Sequence, residues 1–257
     1  MTPIADLLAG ATRTDAGFRT AIPADWMQGR TAYGGLSAAL ALQAAIELEP
    51  DLPPLRSAQA AFIGPLAGEV SVTAARLRRG RNAAFIQADV VSETGLGLRA
   101  TFVFMADLAS TIAHDEALRT EVRPPTAEAE LYTGPDHFFT GNFNFFDPKL
   151  DLARAEWRRW ARLRARDGLH PLVELMAVGD ALPPAAFKLA AERRTPLSSL
   201  NWQINFLTDA PATHEGWWLL SARTEMARHG YSSQRMAIWN AEGEPIAEAM
   251  QSVAIFG

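Results

Sequence analysis

Gln251 stands in Ala247–Phe256, a stretch otherwise nearly apolar apart from Glu248 and Ser252. A buried amide must find partners, because an unsatisfied one costs roughly 1–3 kcal/mol. Gln251 is therefore either a core amide satisfied by backbone or a group placed to hold something polar. Asn201 sits in Ser199–Phe206, where residue types alternate. Alternation puts Asn201, Gln203 and Asn205 on one face and Leu200, Trp202, Ile204 and Phe206 on the other. The polar row is either the solvent face of a one-sided sheet or the wall of a site. Thr224 ends the strand-like stretch Trp217–Thr224, where its type also suits ordinary strand propensity. Amides and hydroxyls both give and accept hydrogen bonds, so the chemistry open to this set is polar positioning. Familiar covalent machinery is missing. The chain has no cysteine, no Gly-x-Ser-x-Gly elbow, no phosphate-cradling loop and no dinucleotide fingerprint after a strand.

The elements that must carry these residues occur twice. Leu36–Leu48 is rich in Ala and Leu, the strongest helix formers, and is apolar nearly all round, so a buried helix is expected. Gly34 and Gly35 open it and leave its first-turn N–H groups open to close approach. Strands are expected at Ala58–Ile63, Glu69–Leu77, Ala83–Ser92 and Leu98–Met105. The second half repeats the order: a helix over Leu172–Leu182, then strands at Leu200–Phe206, Trp217–Thr224, Ser233–Trp239 and Pro245–Phe256. Pro54–Ser57 and Pro196–Ser199 introduce the two sets, and the turn Asn240–Gly243 matches Ser92–Gly95. Each copy reads as one helix wrapped by an antiparallel meander. This gives an α+β chain with a first domain over 1–110, a connector over 111–141 and a second domain over 142–257. Asp151–Arg166 is either a strand patched by Trp157 and Trp160 or a short amphipathic helix. The polar set is one-sided: copy one has Gln59 at the place of Asn201 but nothing like Gln251 in Ala100–Met105.

Composition removes several classes of function. A net charge of −5 argues against tracking nucleic-acid phosphates. No apolar run reaches the roughly 18–20 residues of a membrane span. The absence of cysteine excludes thiolate metal sites and suits a reducing, cytoplasmic setting. Met1–Arg13 lacks the long apolar core of a signal peptide. The five histidines are far apart, and neither a metal nor a cofactor is expected.

Together these pieces resemble the type II acyl-CoA thioesterases of double hot-dog fold. The resemblance is carried by Trp26, Tyr33-Gly34-Gly35, Gly80-Arg81, Asp180-Ala181-Leu182-Pro183-Pro184 and Ser198-Ser199-Leu200-Asn201. It continues through Trp217–Thr224, Gly230-Tyr231, Ile238–Gly243 and Gln251. It implies a tandem double hot dog, with two antiparallel sheets joined edge to edge and each wrapping a central helix. In that family an Asp, a Thr and a Gln on three strands of the second hot dog hold the attacking water. Here Thr224 and Gln251 match the Thr and Gln, and Asn201 stands in the Asp position. An amide orients water but is not a useful base near pH 7. The resemblance further implies a thioester carbonyl held at a helix N-terminus, by the N–H groups around Gly34 and Gly35 or by their counterpart in the second copy, and CoA phosphates near Arg76–Arg81 and Arg154–Arg166. It also implies an acyl-CoA partner and a homodimer of such chains. Two activities follow: hydrolysis of acyl-CoA to acid and CoA, or binding without turnover after loss of the carboxylate. A hydratase would need a His paired with a carboxylate, and no His falls on an expected core strand.

Overall fold

The computed structural model describes residues 1–190 and 195–256. Copy one comprises α1 (Ile4–Ala9), β1 (Thr12–Thr14), β2 (Gly17–Ala21), the short pair β3 (Met27–Gln28) and β4 (Thr31–Ala32), and helix α2 (Gly34–Leu48). Strands β5 (Leu55–Phe62), β6 (Glu69–Arg79), β7 (Ala83–Ser92) and β8 (Gly95–Met105) follow. Copy two comprises β9 (Phe143–Phe146), β10 (Glu156–Leu163), α3 (Pro171–Gly179), β11 (Leu197–Phe206), β12 (Trp218–Arg228), β13 (Tyr231–Trp239) and β14 (Pro245–Ile255). Twelve strands form one sheet in the order β1-β2-β6-β7-β8-β5-β11-β14-β13-β12-β10-β9. Each half has the same strand order, read inward from its own edge. The repeat is thus longer than the sequence suggests, because each copy carries two edge strands ahead of its helix. The stretch left open between strand and helix is strand β10.

The halves meet where β5 pairs antiparallel with β11. Both central helices lie under the sheet and pack on each other. Helix α2 buries Leu36, Ala38, Leu40, Ala41, Leu42 and Ala45 completely, so small and large apolar residues fill its whole circumference. It stops at Glu49, whose backbone is already extended ahead of Pro50. Helix α3 starts on Pro171, capped by His170, whose Nδ1 accepts from the Leu172 N–H at 3.2 Å. It ends at Gly179, three residues short of the expected Leu182, and Asp180 follows as its C-cap.

Ala74, Ala88, Ala100, Ala60, Trp202, Gln251, Gln234 and Thr224 stand side by side on successive strands from β6 to β12. This row crosses the helix-facing side of the sheet. Copy one contributes four alanines to it, and copy two a tryptophan, two glutamines and a threonine.

Candidate active site

The N-terminus of α2 abuts the C-terminus of α3. An aromatic cluster drawn from both sides of the connector holds it there. Tyr33 stacks on Phe139 with ring centroids 4.1 Å apart, and Trp26 and Phe143 close the cluster. The Tyr33 hydroxyl donates to the Ala177 carbonyl at 2.8 Å, joining one copy to the other. Gly35 is needed at this crossing, since a Cβ there would lie 2.6 Å from the Ala177 carbonyl oxygen. A Cβ on Gly34 would lie 2.7 Å from Asp180 Oδ2 and 2.9 Å from the Phe62 ring. The two glycines therefore let the start of α2 touch the end of α3.

Asp180 sits in that contact. Gln251 Nε2 donates to Asp180 Oδ1 at 2.9 Å, and the Gly35 backbone N–H also bonds the carboxyl. Burial pushes the Asp180 pKa up to about 7, while the Gln251 and Gly35 hydrogen bonds pull the other way. Part of its surface stays accessible to solvent. Asp180 can thus take up or release a proton near neutral pH, as a general base must. Burial, with the nearby carboxyl, holds the Tyr33 phenol well above its ordinary value and so protonated.

Gln251 is 3% exposed, and its partners are side chains rather than backbone. Its Oε1 accepts from Gln234 Nε2 at 2.6 Å, and Gln234 Oε1 accepts from the Ala185 N–H at 2.8 Å. Thr224 shares the inner face but stands beyond Gln234 in register, two strand spacings or about 10 Å from Gln251. Its Oγ1 is buried with no partner among the described residues.

Asn201 does not join this group. It lies on the opposite, exposed side of β11, where its Oδ1 accepts from the Ser252 N–H at 3.1 Å. Asn201, Gln203 and Asn205 are the solvent row, and Trp202, Ile204 and Phe206 point inward. Alternation breaks at a bulge between Ser199 and Asn201. The bulge leaves Leu200 43% exposed instead of on the apolar face. It also puts Ser199 in register with buried Val253, on the inner side. The expected convergence of Asn201, Thr224 and Gln251 on one water therefore does not occur. Gly34 and Gly35 do lie at the site, against Asp180.

The sequence reading missed Asp180 and Gln234. The signal for Asp180 was an acid closing the apolar run Leu175–Gly179 just before Pro183-Pro184. Gln234 lies among Ser232, Ser233 and Arg235, so nothing in its neighbourhood marks it as buried. The basic stretches are largely engaged already: Arg76 and Arg79 pair with Glu49, Arg158 with Glu156, Arg159 with Asp147 and Arg166 with Glu174. Among the described residues, no cluster of three or more His, Cys, Asp or Glu could hold a metal ion, and no helix is long and apolar enough to cross a membrane.

Comparison with known proteins agrees with this architecture. A conserved protein of unknown function with hot dog fold from Alicyclobacillus acidocaldarius superposes with a TM-score of 0.81 at 22% identity, over 100% of this chain and 99% of its own. The TesB protein of Mycobacterium avium subsp. paratuberculosis gives 0.78 at 15% identity over 100% of both chains. Acyl-CoA thioesterase II TesB2 from Mycobacterium marinum gives 0.73 at 17% identity, over 98% of this chain and 96% of its own. These likenesses establish the double hot-dog fold. No curated protein matches the sequence significantly. The profile of the acyl-CoA thioesterase N-terminal domain matches residues 22–105, and that of the C-terminal domain matches residues 114–255. With both domain types present in order and most of the chain covered, this protein belongs to the acyl-CoA thioesterase family.

Proposed function

We propose that this protein hydrolyses acyl-CoA thioesters, with Asp180 as the general base and Gln251 holding it in place. The carrying observation is the Asp180 carboxyl, raised to about 7 and set between Gln251 and the first turn of α2. In this reading a water bonds the thioester carbonyl carbon while Asp180 takes its proton. The carbonyl oxygen becomes an anion and is met by first-turn N–H groups of α2 on either side of Gly35, whose own N–H serves Asp180. A helix N-terminus supplies free donors and a partial positive charge for that purpose. Collapse breaks the carbon–sulfur bond, and the proton on Asp180 passes to the departing CoA thiolate. Thr224, Ser199 and Ser232 are inner-face hydroxyls of the same half. The binding-only reading rested on Asn201 in place of a carboxylate, and it loses that support with Asp180 beside Gln251.

The test is a thiol-release assay across acyl-CoAs from acetyl to palmitoyl, with binding measured on the same panel. Release of CoA from at least one chain length is expected. Tight binding of the panel with no release would instead favour the non-catalytic reading. Asn201→Asp checks the assignment from the other side. On an exposed strand face it should change kcat/KM by no more than about twofold, the usual range for a surface substitution away from a site. A tenfold gain would return Asn201 to the mechanism.

A further inference from the structure

A side-chain amide offers a donor at one end and an acceptor at the other, and can turn either toward a neighbour. Gln251 could give an N–H to Asp180 or present Oε1 to it. The first arrangement favours the ionised carboxylate and the second favours the protonated acid. The contacts around Gln251 remove the choice. The Ala185 N–H is a peptide group and can only donate, and it meets Gln234 Oε1 at 2.8 Å. That leaves Gln234 Nε2 to meet Gln251 Oε1, at 2.6 Å. Gln251 Nε2 is then the end left for Asp180 Oδ1, at 2.9 Å.

We propose that Gln234 is a positioning residue: it relays the fixed polarity of the Ala185 peptide through Gln251, so that Asp180 always receives a hydrogen bond and stays ready to accept a proton. The kinetic side of this inference rests on the hydrolase reading above, and the structural side does not. A buried amide has no packing reason to be here. Gln234 is 1% exposed, and the residue in the same lateral row of copy one is Ala88. The Met236 sulfur, 3.6 Å from Gln234 Nε2, is only a weak acceptor and does not compete with Gln251.

Among the described residues, the groups that could otherwise set the proton affinity of Asp180 are few. From α2, Tyr33 is protonated and committed to the Ala177 carbonyl. From α3, Glu174 is turned to Arg166 and Trp218. After α3, Lys188 bonds the Glu156 carbonyl and lies over the Trp157 ring. Arg235 on β13 and Glu248 on β14 are exposed on the other side of the sheet. Arg56 on β5 reaches Asp107 and the Met105 carbonyl.

The experiment compares the parent with Gln234→Glu and Gln234→Met. It records the pH profile of kcat/KM and, separately, the Asp180 carboxyl titration by carbon-13 NMR or infrared difference spectroscopy. An ionised Glu at 234 can still accept from Ala185 but cannot donate to Gln251. Gln251 must then turn its N–H toward residue 234 and its Oε1 toward Asp180. The acid limb and the carboxyl titration should both move to higher pH by about one unit or more. Met fills the space without polarity, so a smaller move in the same direction is expected, with KM within about twofold. Loss of kcat in both variants with the limb and the titration unmoved would overturn the relay. If the parent releases no CoA from any acyl-CoA, the hydrolase reading fails, and the carboxyl titration still decides the relay.

Discussion

Asp180→Asn is expected to lower acyl-CoA hydrolysis by about 10²–10⁴-fold, the usual contribution of a positioned base. The same substitution should stabilise the fold at alkaline pH. The Asp180 pKa is raised in the folded protein, to about 7 from an ordinary 3.8. The folded state thus holds a proton more tightly than the unfolded state, and stability falls as pH climbs through that interval. An asparagine is free of this penalty. Each pKa unit corresponds to about 1.4 kcal/mol, and the remaining solvent access of Asp180 discounts the total to roughly 1–3 kcal/mol. The gain should be complete above pH 7 and absent below pH 4. Paired kinetics and thermal melts at pH 5 and pH 8.5 measure both effects. A variant that keeps its rate, or that melts lower than the parent at pH 8.5, counts against Asp180 as the strained base.

Gly35→Ala should damage the fold and the site together. Its Cβ would fall 2.6 Å from the Ala177 carbonyl oxygen and 2.5 Å from the Tyr33 ring. Neither can yield cheaply: the carbonyl is helix backbone, and the tyrosine is wedged against Phe139. Overpacking of this kind costs about 1–3 kcal/mol, or several degrees of melting temperature in a chain this long. Pushing the helices apart also moves the Gly35 N–H away from Asp180, so kcat/KM should fall as well. Differential scanning calorimetry with a thiol-release assay checks both, and an unchanged melting temperature would mean that the helices are not held this closely.

Much of this architecture was legible in the residue order. The Ala-rich run ending at Pro50, the two Pro-Leu-x-Ser openings and the matched turns near Gly95 and Gly243 are local signals, and local signals survive without coordinates. The edge strands β1, β2, β9 and β10 were less legible, because three-to-eight-residue strands with mixed exposure carry little periodicity. At the site, Gln251 was visible because its flanks are apolar. Asn201 was ambiguous because alternation says which residues share a face but not which face is wet. The bulge at Leu200 then shifted the parity of the strand, which no pattern of residue types foretells. Asp180 stayed hidden for a different reason. What sets it apart is its contact with Gly35, made only where α2 crosses α3, a crossing whose Tyr33 and Ala177 are 144 residues apart in sequence.

The single strand pairing between the halves, β5 with β11, also sets the order of events on the ribosome. The first half emerges complete, with β5 as an open edge and Tyr33 lacking its carbonyl acceptor. At typical elongation rates the wait for β11 is roughly five to twenty seconds. An unpaired strand edge is a template for pairing with another chain, and neighbouring nascent chains on one message each display the same one. Arg56 and Gln59 on β5 blunt that edge without closing it. Asp180, the α2 N-terminus beside it and the seam therefore come together last, and a chain interrupted before residue 197 leaves β5 a strand still seeking a partner.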